Sequence, residues 1–140
     1  MKILVTGGAG YIGSHIVLLL GKLGHEVTVI DNLSTGRRES VIGAELIVGE
    51  VADSNFLDQV MKSKKFDACV HFAGSIIVPE SVTNPTKYYD NNTANSLNLI
   101  QACLRNKISK FLFSSTAAVY GLPAGGECVE STPVMPINPV

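Results

Sequence analysis

Short apolar runs alternate along this chain with longer stretches whose apolar positions recur every three or four residues, a pattern that predicts strands separated by helices. Lys2–Thr6 reads as a continuous apolar strand. A helix is predicted over Tyr11–Leu23, with Ile12, Ile16, Leu19, Leu20 and Leu23 on one face and Gly24 ending it. Glu26–Asp31 is the second strand, a loop rich in Asn, Ser, Thr and Gly follows from Asn32 to about Gly36, and Glu45–Gly49 is the third strand. Asp53 is placed to cap a helix over Ser54–Ser63, and Asp67–Phe72 is the fourth strand. Asn84 followed by Pro85 starts a helix reaching about Asn106, expected to bury Leu97, Ile100 and Leu104. Lys110–Ser114 is the fifth strand, and from about residue 121 to residue 140 the Gly- and Pro-rich text reads as loop.

Strands alternating with helices predict an α/β fold, and a glycine turn after the first strand predicts a doubly wound, Rossmann-type parallel sheet in the order 3-2-1-4-5. Ligands of such sheets lie at the carboxyl ends of the strands, where the strand order reverses. Gly7, Gly10 and Gly13 stand three apart between the first strand and the first helix, and Gly8, Gly10 and Gly13 also satisfy G-x-G-x-x-G. The first glycine permits a tight turn, the second lets a pyrophosphate approach the backbone, and Gly13 lets the helix lie close to the sheet. Unpaired amides and the positive end of the helix dipole, near Tyr11 and Ile12, then face the phosphates. Asp31 closes the second strand, where a carboxylate accepts hydrogen bonds from ribose hydroxyls and repels a 2′-phosphate. That favours NAD over NADP, although Arg37 and Arg38 lie nearby.

Composition narrows the remaining classes. The 140 residues suffice for one ordinary core, so residues 1–140 are taken as a single domain. A net charge of −1 provides no basic field for nucleic acid or an anionic membrane. No segment approaches the ~20 apolar residues of a membrane span, and Gly7, Gly8 and Gly10 break the opening run too early for a signal peptide. Cys69, Cys103 and Cys128 show no metal spacing and read as inert fillers, which suits a reducing, cytoplasmic setting. His15, His25 and His71 recur with no partners at ligand spacing, so no metal site is expected. Ser114 and Ser115 lack a His and Asp context for acyl chemistry, and Tyr120 is followed four residues later by Ala124 rather than by lysine.

Taken together, Thr6-Gly7-Gly8-Ala9-Gly10-Tyr11-Ile12-Gly13, Asp31-Asn32-Leu33, His71-Phe72-Ala73-Gly74, Tyr88-Tyr89-Asp90-Asn91-Asn92 and Ser114-Ser115-Thr116-Ala117-Ala118-Val119-Tyr120-Gly121 closely resemble the UDP-glucose 4-epimerases of the extended short-chain dehydrogenase/reductase superfamily. The resemblance covers essentially the whole chain but only the leading part of a full family member. It implies that Asp31 and Asn32 hold the adenosine ribose, with Ser34, Thr35 and Gly36 in the adjoining loop, and that Glu50 and Val51 flank the adenine. Phe72, Ala73 and Gly74 would line the nicotinamide side, with Asn91 and Ser114 adding polar contacts. Thr116 would hydrogen-bond the 4-hydroxyl of a UDP-glucose or UDP-galactose substrate beside the catalytic tyrosine. In the family reaction NAD takes hydride from sugar C4, the 4-keto intermediate turns over, and the hydride returns to its opposite face. Ala117 and Ala118 stand where dehydratases and decarboxylases of the superfamily carry an acid, which favours epimerisation.

Three departures stand out. Ile76 occupies a position where many epimerases have a lysine, and Glu50 one where aspartate is usual. The family's Tyr-x-x-x-Lys pair follows a stretch matching Pro136-Ile137-Asn138-Pro139, so the tyrosine position falls on Val140. Valine carries no transferable proton, so the expectation is a chain, truncated before the catalytic helix, that holds NAD without turning over. The alternatives are a stand-alone NAD-binding module or one half of a split nucleotide-sugar enzyme. The fifth strand and neighbouring helices should expose apolar surface and promote self-association.

Overall fold

The apolar run Lys2–Thr6 becomes β1, the central strand of a five-stranded parallel sheet, and Ile3 to Thr6 are all buried, as a strand covered on both faces requires. The computed structural model describes residues 1–123 and 125–140; Ala124, which the sequence places in the terminal loop, lies outside them. On one side of β1 lie β2 (Glu26–Asp31) and β3 (Glu45–Val48); on the other lie β4 (Ala68–His71) and β5 (Lys110–Phe113). The order β3-β2-β1-β4-β5 is the one expected. The third, fourth and fifth strands each stop one residue short of their predicted ends, and the fourth starts one residue later, at Ala68.

Helix α1 (Tyr11–Lys22) covers one face of the sheet, where Ile3, Val5, Val17, Val27 and Val29 form a core. Helices α2 (Ser54–Lys64) and α5 (Asn95–Arg105) cover the other, enclosing Leu4, Ile30, Leu57, Met61, Cys69 and Leu99. Both predicted caps are present. Asp53 accepts a hydrogen bond from the Phe56 amide at 3.0 Å, and Asn84 accepts from the Lys87 amide with Pro85 at the first helical position.

Two predicted helix faces are corrected. On α1 the buried residues are Gly13 and Val17, whereas Ile12, Leu19 and Leu23 are exposed. Gly13 sets the rotation, because only its bare α-carbon can approach the glycine turn, and the helix must present that residue and its i+4 neighbour to the sheet. The second long helix is a contiguous run of α4 (Pro85–Tyr88), a π segment over Tyr89–Ala94, and α5. It buries Ser96, Leu99, Ala102 and Cys103; Leu97, Ile100 and Leu104 face outward. The apolar stripe was therefore one residue out of phase. A serine leads the buried stripe, and it is tolerated there only because its hydroxyl is fully partnered, as described below.

A short helix, α3 (Val78–Thr83), was not expected, since Val, Pro and Thr are weak helix formers. It is held by Tyr88, wholly buried, whose hydroxyl accepts from the Ile77 amide at 3.1 Å and lies 2.8 Å from both the Ile77 carbonyl and Glu80 Oε2. Cys69 and Cys103 are core residues, and hydrogen bonding with the neighbouring Cys103 thiol, together with burial, pushes the Cys69 pKa up; Cys128 is exposed and fills no core. Among the described residues no helix is long and apolar enough to cross a membrane, and no group of three or more His, Cys, Asp or Glu side chains converges.

Candidate functional site

The carboxyl ends of β1, β2 and β4 bring three predicted segments together: the glycine turn, the loop after Asp31 and the turn Phe72-Ala73-Gly74. Gly7 has a φ of +72°, and a β-carbon there would lie 2.4 Å from the Ala73 nitrogen. The glycine turn and the Phe72–Gly74 turn are thus in backbone contact, which no larger residue at position 7 permits. A β-carbon on Gly13 would meet the Gly7 carbonyl oxygen at 2.2 Å. Gly10 is different, since the nearest protein atom to its would-be β-carbon is 3.4 Å away. The protein's own packing does not require glycine there. What a side chain would fill is the space before the start of α1, where an approaching pyrophosphate needs room. Gly10 is the helix N-cap, offers no side-chain cap, and is followed by no acid in the first turn, so the first amides of α1 stay available to an anion. Tyr11 and Ile12 are exposed beside them.

Asp31 does more than the sequence reading assigned to it. It is buried, and its Oδ2 accepts from the Ala9 amide at 3.0 Å while Oδ1 accepts from the Leu33 amide at 2.8 Å. One carboxylate thereby fastens both the glycine turn and the following loop, with Leu33 in the left-handed region at φ +58°. The loop closes on the turn again through Gly36, packed on Ala9, and through the Arg37 amide, which donates to the Ala9 carbonyl at 3.1 Å. Asn32 donates to Glu50 Oε2 at 3.2 Å and accepts from the Ser34 amide at 2.9 Å, joining the ends of β2 and β3; Thr35 is exposed. The Val51 carbonyl is held by Asn98 at 2.7 Å.

On the β4 side the π segment supplies two asparagines. Asn92 accepts from the Ser75 amide at 2.7 Å and donates to the Ser75 carbonyl at 2.9 Å, while Asn91 donates to the Ser75 hydroxyl at 2.9 Å. The stretch after Gly74 is therefore held as a neighbouring strand would hold it, and Ile76 projects outward, 79% exposed. The Ser114 amide donates to the His71 carbonyl at 3.1 Å, carrying the β4–β5 ladder one step further. The Thr116 hydroxyl oxygen accepts from the Ala118 amide at 3.1 Å and caps a single 3-10 turn over Ala117–Tyr120; among the described residues no acceptor meets its own proton.

His71, which has no metal-ligand spacing in the sequence, is the centre of a buried chain of hydrogen bonds. Thr6 Oγ1 lies 2.5 Å from Nδ1, Ser96 Oγ lies 2.8 Å from Nε2, and Ser96 in turn donates to the Asn92 carbonyl at 2.6 Å. Because the serine proton is spent on that carbonyl, Nε2 must carry the imidazole hydrogen and Nδ1 must accept from Thr6. Burial pushes the His71 pKa from 6.5 down to about 4, so the ring is neutral at pH 7. Thr6 and His71 are register partners in the sheet, a pairing invisible in the sequence until the strand order is known.

A concavity of about 610 Å³ lies at the opposite end of the sheet, between the C-terminal ends of α2 and α5 and beside Lys62, Lys65 and Lys107. Those lysines complement the negative ends of two helices, and the fold places ligand chemistry at the other edge.

Residues 3–140 match the model of the NAD dependent epimerase/dehydratase family. This chain belongs to that family. Among its curated relatives, the UDP-glucose 4-epimerase of Azospirillum brasilense is 54% identical over 139 residues, covering 99% of this chain and 40% of the relative. The UDP-glucose 4-epimerase from Brucella ovis, solved in complex with NAD, superposes with a TM-score of 0.93 at 40% identity, over 99% of this chain and 42% of that one. The UDP-Glc/GlcNAc 4-epimerase of Campylobacter jejuni gives a TM-score of 0.91 at 46% identity. This epimerase/dehydratase family chain therefore spans about two-fifths of the length of the relatives it matches, and it aligns with their N-terminal portions.

Proposed function

We propose that this chain is the NAD-binding portion of a UDP-glucose/UDP-galactose 4-epimerase. The observation that carries the reading is the pairing of an uncapped helix start behind Gly10 with a buried carboxylate, Asp31, one strand away. The first suits a pyrophosphate and the second suits a ribose diol. In this reading Gly7, Gly10, Tyr11, Ile12 and Gly13 take the pyrophosphate. Asp31 and Asn32 take the adenosine ribose beside Ser34, Thr35 and Gly36, and Glu50 and Val51 flank the adenine. Phe72, Ala73 and Gly74 line the nicotinamide side, with Asn91 and Ser114 as polar neighbours. When bound, NAD supplies reversible hydride acceptance at sugar C4. Thr116 donates its hydroxyl proton toward the sugar's 4-oxygen and so orients it. Val140 follows Pro136-Ile137-Asn138-Pro139 and has no proton to exchange, so this chain holds the dinucleotide without turning it over.

Calorimetric titration of the folded chain with NAD and NADP tests the reading. NAD is expected to bind at least about tenfold more tightly, since a 2′-phosphate placed against the Asp31 carboxylate costs upwards of one kcal/mol. The same preparation is expected to convert no UDP-galactose. Equal affinity for the two dinucleotides, or binding of neither, would count against the assignment.

The uncovered stripe Leu97, Ile100 and Leu104, together with Leu112 and Phe113 on the edge strand, also favours self-association. Sedimentation velocity over a range of concentrations is expected to show dimers or larger species; a single monomeric boundary at the highest concentration would remove this expectation. A cytoplasmic setting suits free, buried Cys69 and Cys103.

A further inference from the structure

The turn after β1 and the turn after β4 face each other, and each is preceded by one member of the buried Thr6–His71 pair. From the structure we infer that His71 is a positioning residue, which sets the Phe72-Ala73-Gly74 turn relative to the glycine turn and thereby fixes where the nicotinamide half of the dinucleotide lies. The inference rests on the proposed NAD site and deepens it.

The glycine turn is anchored independently of His71. The Gly7 amide donates to the Ile30 carbonyl at 2.9 Å, and the Ala9 amide donates to Asp31. Among the described residues the opposite turn is tied to β1 by a single backbone bond and has no side-chain anchor comparable to Asp31. Its lateral position depends on the ladder bond from the Phe72 amide to the Thr6 carbonyl at 2.8 Å, and on what holds His71 and Ser75. His71 joins both. Through Nδ1 it is tied to Thr6 at the root of the glycine turn. Through Nε2 it is tied to Ser96, whose proton goes to the Asn92 carbonyl, and the Asn92 side chain grips Ser75 by both its amide and its carbonyl. The chain Thr6–His71–Ser96–Asn92–Ser75 thus runs beneath the second turn from one end to the other. The rings of Phe111 and Phe113 lie beside the imidazole, at centroid distances of 6.2 and 5.7 Å, and His71 is buried, so water does not compete for these bonds.

A residue that merely supported the fold would, on removal, weaken every ligand alike. A residue that places one turn against the other has a different signature, because ADP-ribose uses the glycine turn and Asp31, while NAD uses those and the second turn as well. In His71→Ala, NAD is expected to bind about tenfold more weakly, as expected for loss of a buried hydrogen-bonded link. ADP-ribose should stay within about twofold of its affinity for the unaltered chain. His71→Asn keeps an acceptor near the Nδ1 position for Thr6 and is expected to recover part of the NAD affinity. Equal weakening of both ligands in His71→Ala, or no weakening of either, would overturn the inference. Should that variant fail to fold, His71→Gln, which places its amide toward Ser96 and away from Thr6, is measured with the same two outcomes. Failure of the unaltered chain to bind ADP-ribose or NAD would instead remove the proposed function itself, so the two failures are distinguishable.

Discussion

Replacing Gly7 by alanine is expected to destabilise the chain by about 3 kcal/mol or more and to abolish dinucleotide binding. Two costs combine. A φ of +72° is strained for any residue with a β-carbon, at roughly 1–2 kcal/mol. The added carbon also lands 2.4 Å from the Ala73 nitrogen and 2.6 Å from the Phe72 carbonyl carbon, so the two turns must separate. Backbone cannot rotate away as a flexible side chain can, and overpacking of this kind costs about 1–3 kcal/mol. Urea denaturation of Gly7→Ala beside Gly10→Ala provides the check. The second substitution meets no protein atom nearer than 3.4 Å and should leave stability within about 1 kcal/mol while still weakening NAD binding. Similar denaturation midpoints for the two variants would mean that the contact between the turns is softer than described.

The second large effect is one of pH. Because the folded-state pKa of His71 is depressed, from 6.5 to about 4, the native protein binds fewer protons than the unfolded chain in that interval. The stability contributed by the neutral ring is complete above pH 6.5, declines as pH falls, and is lost once pH passes below about 4, a total of about 3 kcal/mol. Asp58, lowered mainly by its hydrogen bond to Arg105, and Glu80, lowered mainly by its hydrogen bond to Lys87, are lost at lower pH, beneath their ordinary values of 3.8 and 4.5. The range from pH 6.5 to 4.5 therefore isolates the histidine. Urea unfolding across it should show a steady fall in stability that His71→Gln removes; an unchanged slope in that variant would assign the fall to other groups.

The five strands and two helix caps were legible because each rests on local chemistry: continuous apolar runs, Asp53 before Ser54, and Asn84 before Pro85; the strand order followed from the fold rule for alternating strands and helices behind a glycine turn. The glycine turn and Asp31 were legible for the same reason. What the sequence concealed depends on distant partners. Val17 rather than Ile16 faces the core because Gly13 must meet Gly7, and Ser96 rather than Leu97 turns inward because His71 and Asn92 satisfy it. In both helices the more apolar stripe lies one residue away from the buried one, so periodicity alone points to the exposed face. The Tyr88-Tyr89-Asp90-Asn91-Asn92 motif was visible as a family signature, yet the structural work of Tyr88 and Asn92 on Ile77 and Ser75 emerged only with the tertiary contacts.

The double duty of Asp31 constrains how this scaffold could be re-engineered. An attempt to make it accept a phosphorylated ribose would begin by exchanging the acid for a neutral or basic residue. That exchange would also release the Ala9 and Leu33 amides, and with them the loop through Arg37 that closes over the glycine turn. On the proposed reading, selectivity and preorganisation are vested in the same two oxygen atoms. A change of cofactor preference here is a redesign of the turn, in which new acceptors for two backbone amides must be supplied before any contact to the ligand is improved.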